Sequence, residues 1–404
     1  MSSSNRVRLA VIEETTLGVV PPAGNFSTVR FTSESLSGTP TTTESQQIRS
    51  DRQSSGQIVT GLEVGGDIEF ELCKDPTFEQ LLASVMMNTW ETQVLQTVDL
   101  ELTVDNTNPL IPLYTLVRDS GDWNTTLDVG DIFVTTGFTN TQNNTQFQVL
   151  QIVSATVIRV SANAALEALV AEEATGTTYK RGDRINIGTI TRSFSMEKAF
   201  LDLTNKALIY NGMNGSTFDL NVAYGEIVTG SLGFSGTKRT EADSAVEFIT
   251  NGRTINPASS TNSMNGSVDM PFISSSILGT MEGVDFCIQS LALALDNNLS
   301  PQNCIGLIGP KSYSAGTAAI TVDLSSYLGN DNWEVLAKKL SQEAFSIGFL
   351  IQNLDGWYGF YIPAIQVSFD DPSSGGANQD ISIEMSGTAK IGANGENALY
   401  IYRS

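Results

Sequence analysis

The sequence predicts a mainly β fold, in which a β-sandwich or barrel domain occurs twice, each copy with one packed α-helix, and a small β domain is inserted. Three observations predict it. Short apolar segments are separated by Gly, Asn, Ser and Thr, as in β-sandwiches and barrels. A strand followed by a capped helix occurs twice, and a stretch between these two units has turns and strands of its own. With 404 residues, of which 40% are hydrophobic, the chain is long enough for two or three domains.

Alternation of apolar and polar residues marks the strands. It is clearest at 68–72, 320–324 and 381–385, where Ile, Phe, Val, Leu or Met alternates with Glu, Thr, Asp or Ser. Because successive side chains of a strand point to opposite faces, each segment is predicted to be a half-buried strand. The segment 233–236, Gly-Phe-Ser-Gly, is predicted to be strand and turn, since it lacks the G-x-S-x-G spacing of a nucleophile elbow.

Two helices are predicted, each directly after an alternating strand. In the first, Asp75 is suited to the N-cap and Pro76 to the opening position. In the second, Asp331 and Glu334 have capping-box-like spacing, with Asp in place of Ser or Thr. Apolar residues then follow at i, i+3, i+4 and i+7, which is one helix face. They are Phe78, Leu81, Leu82 and Val85 in the first helix and Trp333, Leu336, Ala337 and Leu340 in the second.

The spacing of later segments indicates an internal duplication with an insertion. The similar segments 193–200 and 345–352 begin 152 positions apart (345 − 193), whereas Phe78 and Trp333 are 255 apart (333 − 78). The excess of roughly 100 residues lies before 193 and defines the predicted domains. These are a first domain at 1–93 plus 185–250, an inserted small β domain, Ig-like or similar, at the surface (95–184), and a second domain at 251–404. Convergent patterning without duplication, and an insert that is only an excursion of the main domain, remain alternatives.

Composition excludes several kinds of catalysis. The chain has no histidine, which removes Ser-His-Asp, Cys-His and HExxH chemistry. Glycoside hydrolysis needs only two placed carboxyl groups, but no pair stands out among the 44 acidic residues. No set of side chains has metal-ligand spacing. We therefore predict no enzymatic activity, no bound metal and no cofactor.

The formal net charge of −22 is spread over the chain rather than gathered in a tail. High-affinity binding to nucleic acid requires clustered Lys and Arg. The nearest approach to a cluster is Arg49 and Arg52 with Asp51 between them, which also fits a solvated or salt-bridged loop. An acidic surface would suit a conduit, because a polyanion passing over it finds no binding points.

The cysteines and the N-terminus give no sign of secretion. Cys73, Cys287 and Cys304 are an odd number without CxxC spacing, so neither a disulfide framework nor a zinc site is predicted. Each has apolar neighbours in sequence, and we predict three buried thiols. No apolar h-region follows the N-terminal charges and no stretch reaches about 18 apolar residues. A soluble protein without a membrane partner is expected.

Several short motifs, in order, resemble those of siphophage tail tube proteins. They are 11–21 (VIEETTLGVVP), 31–36 (FTSESL), 44–53 (ESQQIRSDRQ) and 66–72 (GDIEFEL), with Trp90 after the first helix. Later segments at 293–297, 357–363 and 401–403 are similar to the remainder of that family. The resemblance covers about 1–93 and 185–404, so the fold it implies is a duplicated tail-tube domain with an insert that departs from the minimal pattern.

The resemblance implies a particular arrangement of strands and loops. Sheets would pack against a helix on one side, inner strands would line a lumen, and an extended loop between early strands would reach the next ring. That stacking role falls on the polar stretch 34–56, which without the resemblance is simply a flexible loop. Its candidate residues are Glu34, Glu44, Arg49, Asp51, Arg52 and Gln53.

The resemblance also implies the function: a structural virion protein, the major tail tube protein, whose stacked rings enclose the tape-measure protein and later pass double-stranded DNA. Tail terminator and distal tail proteins would be neighbours, and assembly would occur in the host bacterial cytoplasm. Two domains per chain predict a homotrimer with pseudo-sixfold symmetry, and a homohexamer is the alternative. Another virion β protein, such as a baseplate or decoration component, or a carboxylate-dependent glycan hydrolase or adhesin, are the competing functions.

Overall fold

The computed structural model describes residues 3–48, 50–51, 56–105, 113–162, 169–266, 273–276, 284–285, 288–329, 344–369, 371–372, 380–392 and 395–404. Within these residues the protein is mainly β, as predicted. The first part of the chain contains β1 (Val7–Glu13), β2 (Phe26–Thr28), β3 (Ser33–Glu34), β4 (Ser37–Glu44), β5 (Gln57–Glu71) and the helix α1 (Pro76–Val85).

The predicted insert contains six strands that form a closed barrel. They are β6 (Gln96–Asp105), β7 (Leu113–Arg118), β8 (Ile132–Thr136), β9 (Gln146–Ile152), β10 (Val157–Ala162) and β11 (Glu172–Arg181). Their order around the barrel is β10-β7-β6-β11-β8-β9, and β9 pairs with β10 to close it. The barrel has its own core, in which the largest buried side chains are Trp123, Phe133, Phe147 and Tyr179.

The chain then returns to the large sheet. The strands that follow are β12 (Asp183–Asn186), β13 (Ser193–Phe200), β14 (Ala207–Ala223), β15 (Thr229–Gly236), β16 (Lys238–Ala242), β17 (Ile255–Asn256), β18 (Ile273–Ser276), β19 (Val284–Asp285), β20 (Ile288–Asp296), β21 (Ser300–Gln302), β22 (Ser312–Ser314), β23 (Ala319–Tyr327), β24 (Phe345–Asn353), β25 (Gly356–Phe369), β26 (Ser382–Ala389) and β27 (Tyr400–Arg403). In the described part of the chain, a short 3-10 turn precedes β1 at Ser4–Arg6, and others lie between strands at Trp123–Thr125, Thr141–Asn143 and Ala245–Glu247.

The large sheet consists of two sets of strands with the same pairing order. In the first half of the sheet the neighbours are β1, β13, β14, β15, β5 and β4. In the second half they are β18, β24, β25, β26, β23 and β20. The two halves join where β14 pairs with β20. One continuous sheet therefore runs through both.

Helix α1 packs on the apolar face of this sheet. Asp75 caps it by accepting a hydrogen bond from the Thr77 backbone N–H at 2.8 Å. The four side chains of its predicted apolar face, Phe78, Leu81, Leu82 and Val85, are all buried. The Phe78 ring packs on Phe70 with centroids 4.8 Å apart, and it also meets Tyr358 of β25 at 6.0 Å. The helix thus contacts both halves of the sheet.

One glycine of the sheet is required by that packing. A Cβ at Gly215 on β14 would lie 2.5 Å from the Val85 backbone nitrogen at the end of α1. Real Cβ atoms do not approach backbone this closely, so a larger residue would push the helix off the sheet. The Gly215 N–H donates to the Ser84 hydroxyl at 3.0 Å, which fixes the same contact.

The barrel is attached to the second half of the sheet although it is inserted in the first. Ile132 of the barrel packs with Leu350, Trp357, Tyr361 and Tyr402. Strand β12, which leads out of the barrel, pairs with β27 at the edge of β25. The barrel therefore has a fixed position on β24, β25 and β27.

A buried ionic cluster lies beside this apolar contact. Asp131 is fully buried and accepts hydrogen bonds from the Tyr402 hydroxyl at 2.9 Å and the Arg184 guanidinium at 3.1 Å. The Arg181 guanidinium lies 3.7 Å from it, and the Asp128 backbone N–H donates to it at 2.8 Å. Burial raises the pKa of Asp131, and the Arg184 and Arg181 guanidinium groups oppose that shift.

Some predicted features lie outside the described residues, and one prediction differs from the structure. The second predicted helix, with Asp331, Trp333, Glu334, Leu336, Ala337 and Leu340, lies outside the described residues, as does Cys287. Cys73 is buried, but Cys304 is exposed and its prediction as a buried thiol is wrong. The reason is that its apolar neighbours Ile305 and Leu307 are exposed as well, so adjacency in sequence did not indicate a core.

Candidate functional site

Six adjacent strands of the large sheet present one solvent-facing surface, which we call the acidic face. The strands are β5, β15, β14, β20, β23 and β26, in that spatial order. Alternate residues such as Ile68, Leu232 and Leu293 point to the buried side. The residues between them point the other way. The sheet thus has a buried face, on which α1 packs, and a solvent-facing face opposite.

Carboxylates occupy the acidic face at regular intervals. Glu69 lies opposite Ser231, and Ser231 lies opposite Asp219. Asp219 lies opposite Ala294 of the second half, so the same row crosses the junction between the halves. By strand register, the carboxylates of this face are Glu63, Asp67, Glu69 and Glu71 on β5, Asp219 on β14, Asp296 on β20, Asp323 on β23 and Glu384 on β26.

The remaining positions of this face are small or uncharged. They are chiefly Ser, Thr, Ala, Gly and Asn, for example Thr229, Asn221, Ala292 and Thr321. Among the described residues that these six strands direct to this side, none is Lys or Arg. Carboxylates without Lys or Arg beside them on these strands favour a negative potential at this face and offer no cation to a phosphate.

Neighbouring groups shift the pKa of one of these carboxylates and donate hydrogen bonds to two of them. Partial burial, with the nearby Asp67 and Asp296 carboxylates, raises the pKa of Asp219, while a hydrogen bond from the Ser231 hydroxyl at 3.1 Å opposes the shift. The Ser325 hydroxyl donates to Glu384 at 2.8 Å. The mutual repulsion at Asp219 is a direct consequence of placing like charges on adjacent strands.

A two-stranded arm extends one end of the acidic face. Strands β4 and β5 pair from Ser37 opposite Gly65 to Glu44 opposite Gln57, with an irregularity at Thr41 and Thr42. Nearly all side chains of this arm beyond the sheet are exposed, Ile58 and Val59 included. An exposed arm at the end of a sheet is available for contact with another molecule.

The predicted stacking residues are distributed unevenly along this arm. Glu44 ends β4 and Asp51 lies in the following turn, both exposed. Arg49, Arg52 and Gln53 lie outside the described residues. Glu34 is instead at the base: it forms an ion pair with Lys198 and accepts a hydrogen bond from the Leu36 N–H at 3.0 Å. Its observed contacts are within the chain.

A loop of the second half packs beside the arm, and sequence reasoning did not single it out. The Leu62 N–H donates to the Ile308 carbonyl at 2.9 Å, and the Tyr313 hydroxyl donates to the Gly236 carbonyl at 2.9 Å. Ile305, Leu307 and Ile308 are exposed there. The only sequence signal is the segment 305–310, in which apolar residues alternate irregularly with two glycines and end at a proline. This pattern is equally typical of a buried turn.

Neither a metal-binding cluster nor a membrane-spanning helix occurs among the described residues. No group of three or more Cys, Asp or Glu side chains among them is arranged to hold a metal ion. No helix within the described part is long and apolar enough to span a membrane. What the geometry does provide is a continuous acidic face, an arm and strand edges, which are features of an assembling surface rather than of a closed cavity.

Comparison with known proteins identifies one family. A family model described as phage tail tube protein matches residues 4–389. No curated protein sequence matches the chain.

Proposed function

The chain belongs to the phage tail tube protein family, whose model matches residues 4–389, and we propose that it is the major tail tube protein of a siphophage. It is a structural component of the virion tail. In the proposed assembly, copies of the chain form rings, and stacked rings form a tube that encloses the tape-measure protein and later passes double-stranded DNA. The tube would end at terminator and distal tail proteins.

The observation that carries this proposal is the acidic face. Its carboxylates lie on strands of both halves without a break at the β14–β20 junction. If the sheet curves around a channel with this face inward, DNA moves past a wall that repels phosphate and has no cation to hold it. Helix α1 packs on the opposite, apolar face, so the acidic face is the one that would line the channel.

The ring would consist of three chains. The two halves have the same strand order, which supports the duplication. Six such halves are the ring size expected from single-domain members of the family. Three two-domain chains supply six halves, with strict threefold and approximate sixfold symmetry. Six complete chains are the alternative. No enzymatic step is part of this function.

The barrel would lie on the outside of the tube. It docks on β25 through Trp357 and Tyr361, whereas Ser368 at the other end of β25 aligns with the acidic face through its pairing with Ser386. A barrel carried once per chain would give three protrusions per ring.

Electron microscopy of the purified protein tests this function. We expect tubes of uniform diameter in negative stain, and electron cryomicroscopy should show three chains per ring with Glu69, Asp219 and Asp323 facing the channel. Discrete particles that do not polymerise, or an acidic face on the outside of the tube, would contradict the proposal. Six complete chains per ring would contradict the trimer alone.

A further inference from the structure

The chain contains several Asn-Gly steps, and the fold treats one of them differently from the others. In such a step the glycine nitrogen can reach the side-chain amide carbon of the asparagine, because glycine has no side chain to obstruct the approach. The five steps begin at residues 211, 214, 251, 265 and 394. Asn394 lies outside the described residues, and the structure describes the other four.

Three of these four steps are held by hydrogen bonds of the glycine. The bonds run from the N–H of Gly212 to the Glu14 carboxylate at 2.9 Å, from Gly215 to the Ser84 hydroxyl at 3.0 Å and from Gly266 to the Glu226 carbonyl at 2.9 Å. Asn211 is buried as well, and its side-chain amide donates to the Ser195 hydroxyl at 3.0 Å. A nitrogen held in this way can attack only after local opening of the chain.

The fourth step, Asn251-Gly252, lies exposed in the turn that leads to β17. The turn is closed by two bonds, from the Asn251 N–H to the Phe248 carbonyl and from the Arg253 N–H to the Thr250 carbonyl, both at 3.1 Å. Neither the Gly252 N–H nor the Asn251 side chain has a hydrogen-bond partner among the described residues. Gly252 has a φ of +69°, and no atom beyond its chain neighbours lies within 4 Å of the place of a Cβ.

We propose that Asn251 is a site of spontaneous deamidation in the folded protein. The Gly252 backbone nitrogen bonds to Cγ of Asn251 and loses its proton, the bond from Cγ to Nδ2 breaks, and ammonia leaves. Water then adds across one of the two C–N bonds of the resulting succinimide ring. Opening on one side gives aspartate, and opening on the other gives isoaspartate, in which the backbone runs through the former side chain. Water is the co-reactant, and no group is oxidised or reduced.

The turn that changes is an anchor of the first half of the sheet. Thr250 donates from its N–H at 3.1 Å and from its hydroxyl at 2.7 Å to Glu197 of β13, which is fully buried. Arg8 of β1 pairs with the same carboxylate at 3.0 Å. Isoaspartate adds one carbon to the backbone next to Thr250, and both products add a negative charge there. Hydrogen exchange should therefore increase around Thr250 in the converted protein.

Peptide mass mapping of the unmodified protein tests the site. Trypsin should release 240–253, in which Asn251 is the one asparagine and no glutamine occurs, and 207–238, which contains the steps at 211 and 214. After incubation of the folded protein at mildly alkaline pH, 240–253 should gain the mass difference between an amide and an acid. The gain should be at least about tenfold faster than in 207–238, because paired strands rarely open. Two chromatographic products, aspartate and isoaspartate, are expected.

Unfolded protein and two variants complete the test. In urea the two peptides should convert at similar rates, since the same Asn-Gly chemistry is then free in both. Asn251→Gln should remove the gain from 240–253 and leave 207–238 unchanged, because glutamine would have to form a larger ring. Asn251→Asp adds the charge without lengthening the backbone, so it should reproduce only part of the increase in hydrogen exchange around Thr250.

The comparison of folded and unfolded protein decides. If 240–253 converts no faster than 207–238 in the folded protein while both convert in urea, the proposal is overturned. Conversion of 240–253 that persists in Asn251→Gln would overturn it as well. Either result concerns this turn alone and leaves the proposed function as it stands.

Discussion

The barrel and the large sheet are both built from β-strands, but they differ in whether the strands close on themselves. In the barrel, β9 pairs with β10 and every strand has two neighbours, so its main-chain groups are satisfied within the chain. In the large sheet, β14 of the first half pairs with β20 of the second half, so the sheet continues from one half into the other. The barrel therefore closes on itself within one part of the chain, whereas the large sheet is shared by both halves.

The two regions also differ in how their cores are distributed. The barrel core is enclosed by β6–β11 and centred on Trp123 and Phe133. The core of the large sheet is shared by both halves, since Phe78 of α1 meets Phe70 in one half and Tyr358 in the other. Damage to the barrel should therefore stay local, and damage under α1 should spread.

Phe78→Ala is expected to give the largest effect. Removing a buried ring from between two halves should destabilise the sheet by about 3–5 kcal/mol and abolish tube formation. Phe147→Ala makes the same chemical change in the barrel core and should cost a similar amount there, while tubes persist. Thermal unfolding followed by negative-stain microscopy measures both. Loss of tubes in Phe147→Ala would show that the barrel is not independent.

Asp131→Asn should have the next largest effect, on attachment of the barrel rather than on the ring. Loss of the charge leaves the Arg181 and Arg184 guanidinium groups only partly paired in a buried site, at a cost of about 3 kcal/mol. Hydrogen exchange should increase at β12 and β27, with little change at α1. Asp128→Asn, whose carboxylate is largely exposed beside the same Arg184, should cost less than about 1 kcal/mol. Equal effects of the two variants would show that burial is not the cause.

How far the sequence predicted these regions depends on the range of the interactions. The strands at 68–72 and 320–324 and the helix capped by Asp75 follow from periodicity and capping, which are local. The contact of Ile132 with Tyr361 joins residues that no local pattern relates, so the attachment of the barrel to the second half was not predicted. The acidic face could be anticipated only as a net charge, because strand order decides which carboxylates share a surface.

Deletion of the barrel should have a smaller effect on assembly. We expect that removal of 95–184, bridged by a short Gly/Ser linker, leaves a protein that still folds and forms tubes. The structure refines the boundary: removal of 95–181 keeps Asp183–Asn186, which pairs with β27. Narrower tubes without protrusions are expected, with lower solubility because Trp357, Tyr361 and Tyr402 lose their cover. A soluble deletion variant that forms no tubes would contradict the comparison between barrel and sheet.

Asp219→Asn should give the smallest effect, and it probes the acidic face directly. The folded protein raises the pKa of Asp219 through partial burial and the Asp67 and Asp296 carboxylates, so folding disfavours its charged form. The cost of this charge is absent below the unfolded pKa, about 3.9, and it appears as pH rises through the folded pKa. At pH 7 the Asn variant should therefore be slightly more stable than the parent, by less than about 1 kcal/mol. The difference should vanish near pH 4. Asp243→Asn, which removes an exposed aspartate just after β16 and away from the acidic face, controls for the change in net charge. Melting temperatures of the three proteins between pH 4 and 8 measure the effect. A lower stability of Asp219→Asn at pH 7 would show that Asp219 makes a favourable contact as an anion, and the acidic face would then be held together by its charges instead of tolerating their repulsion.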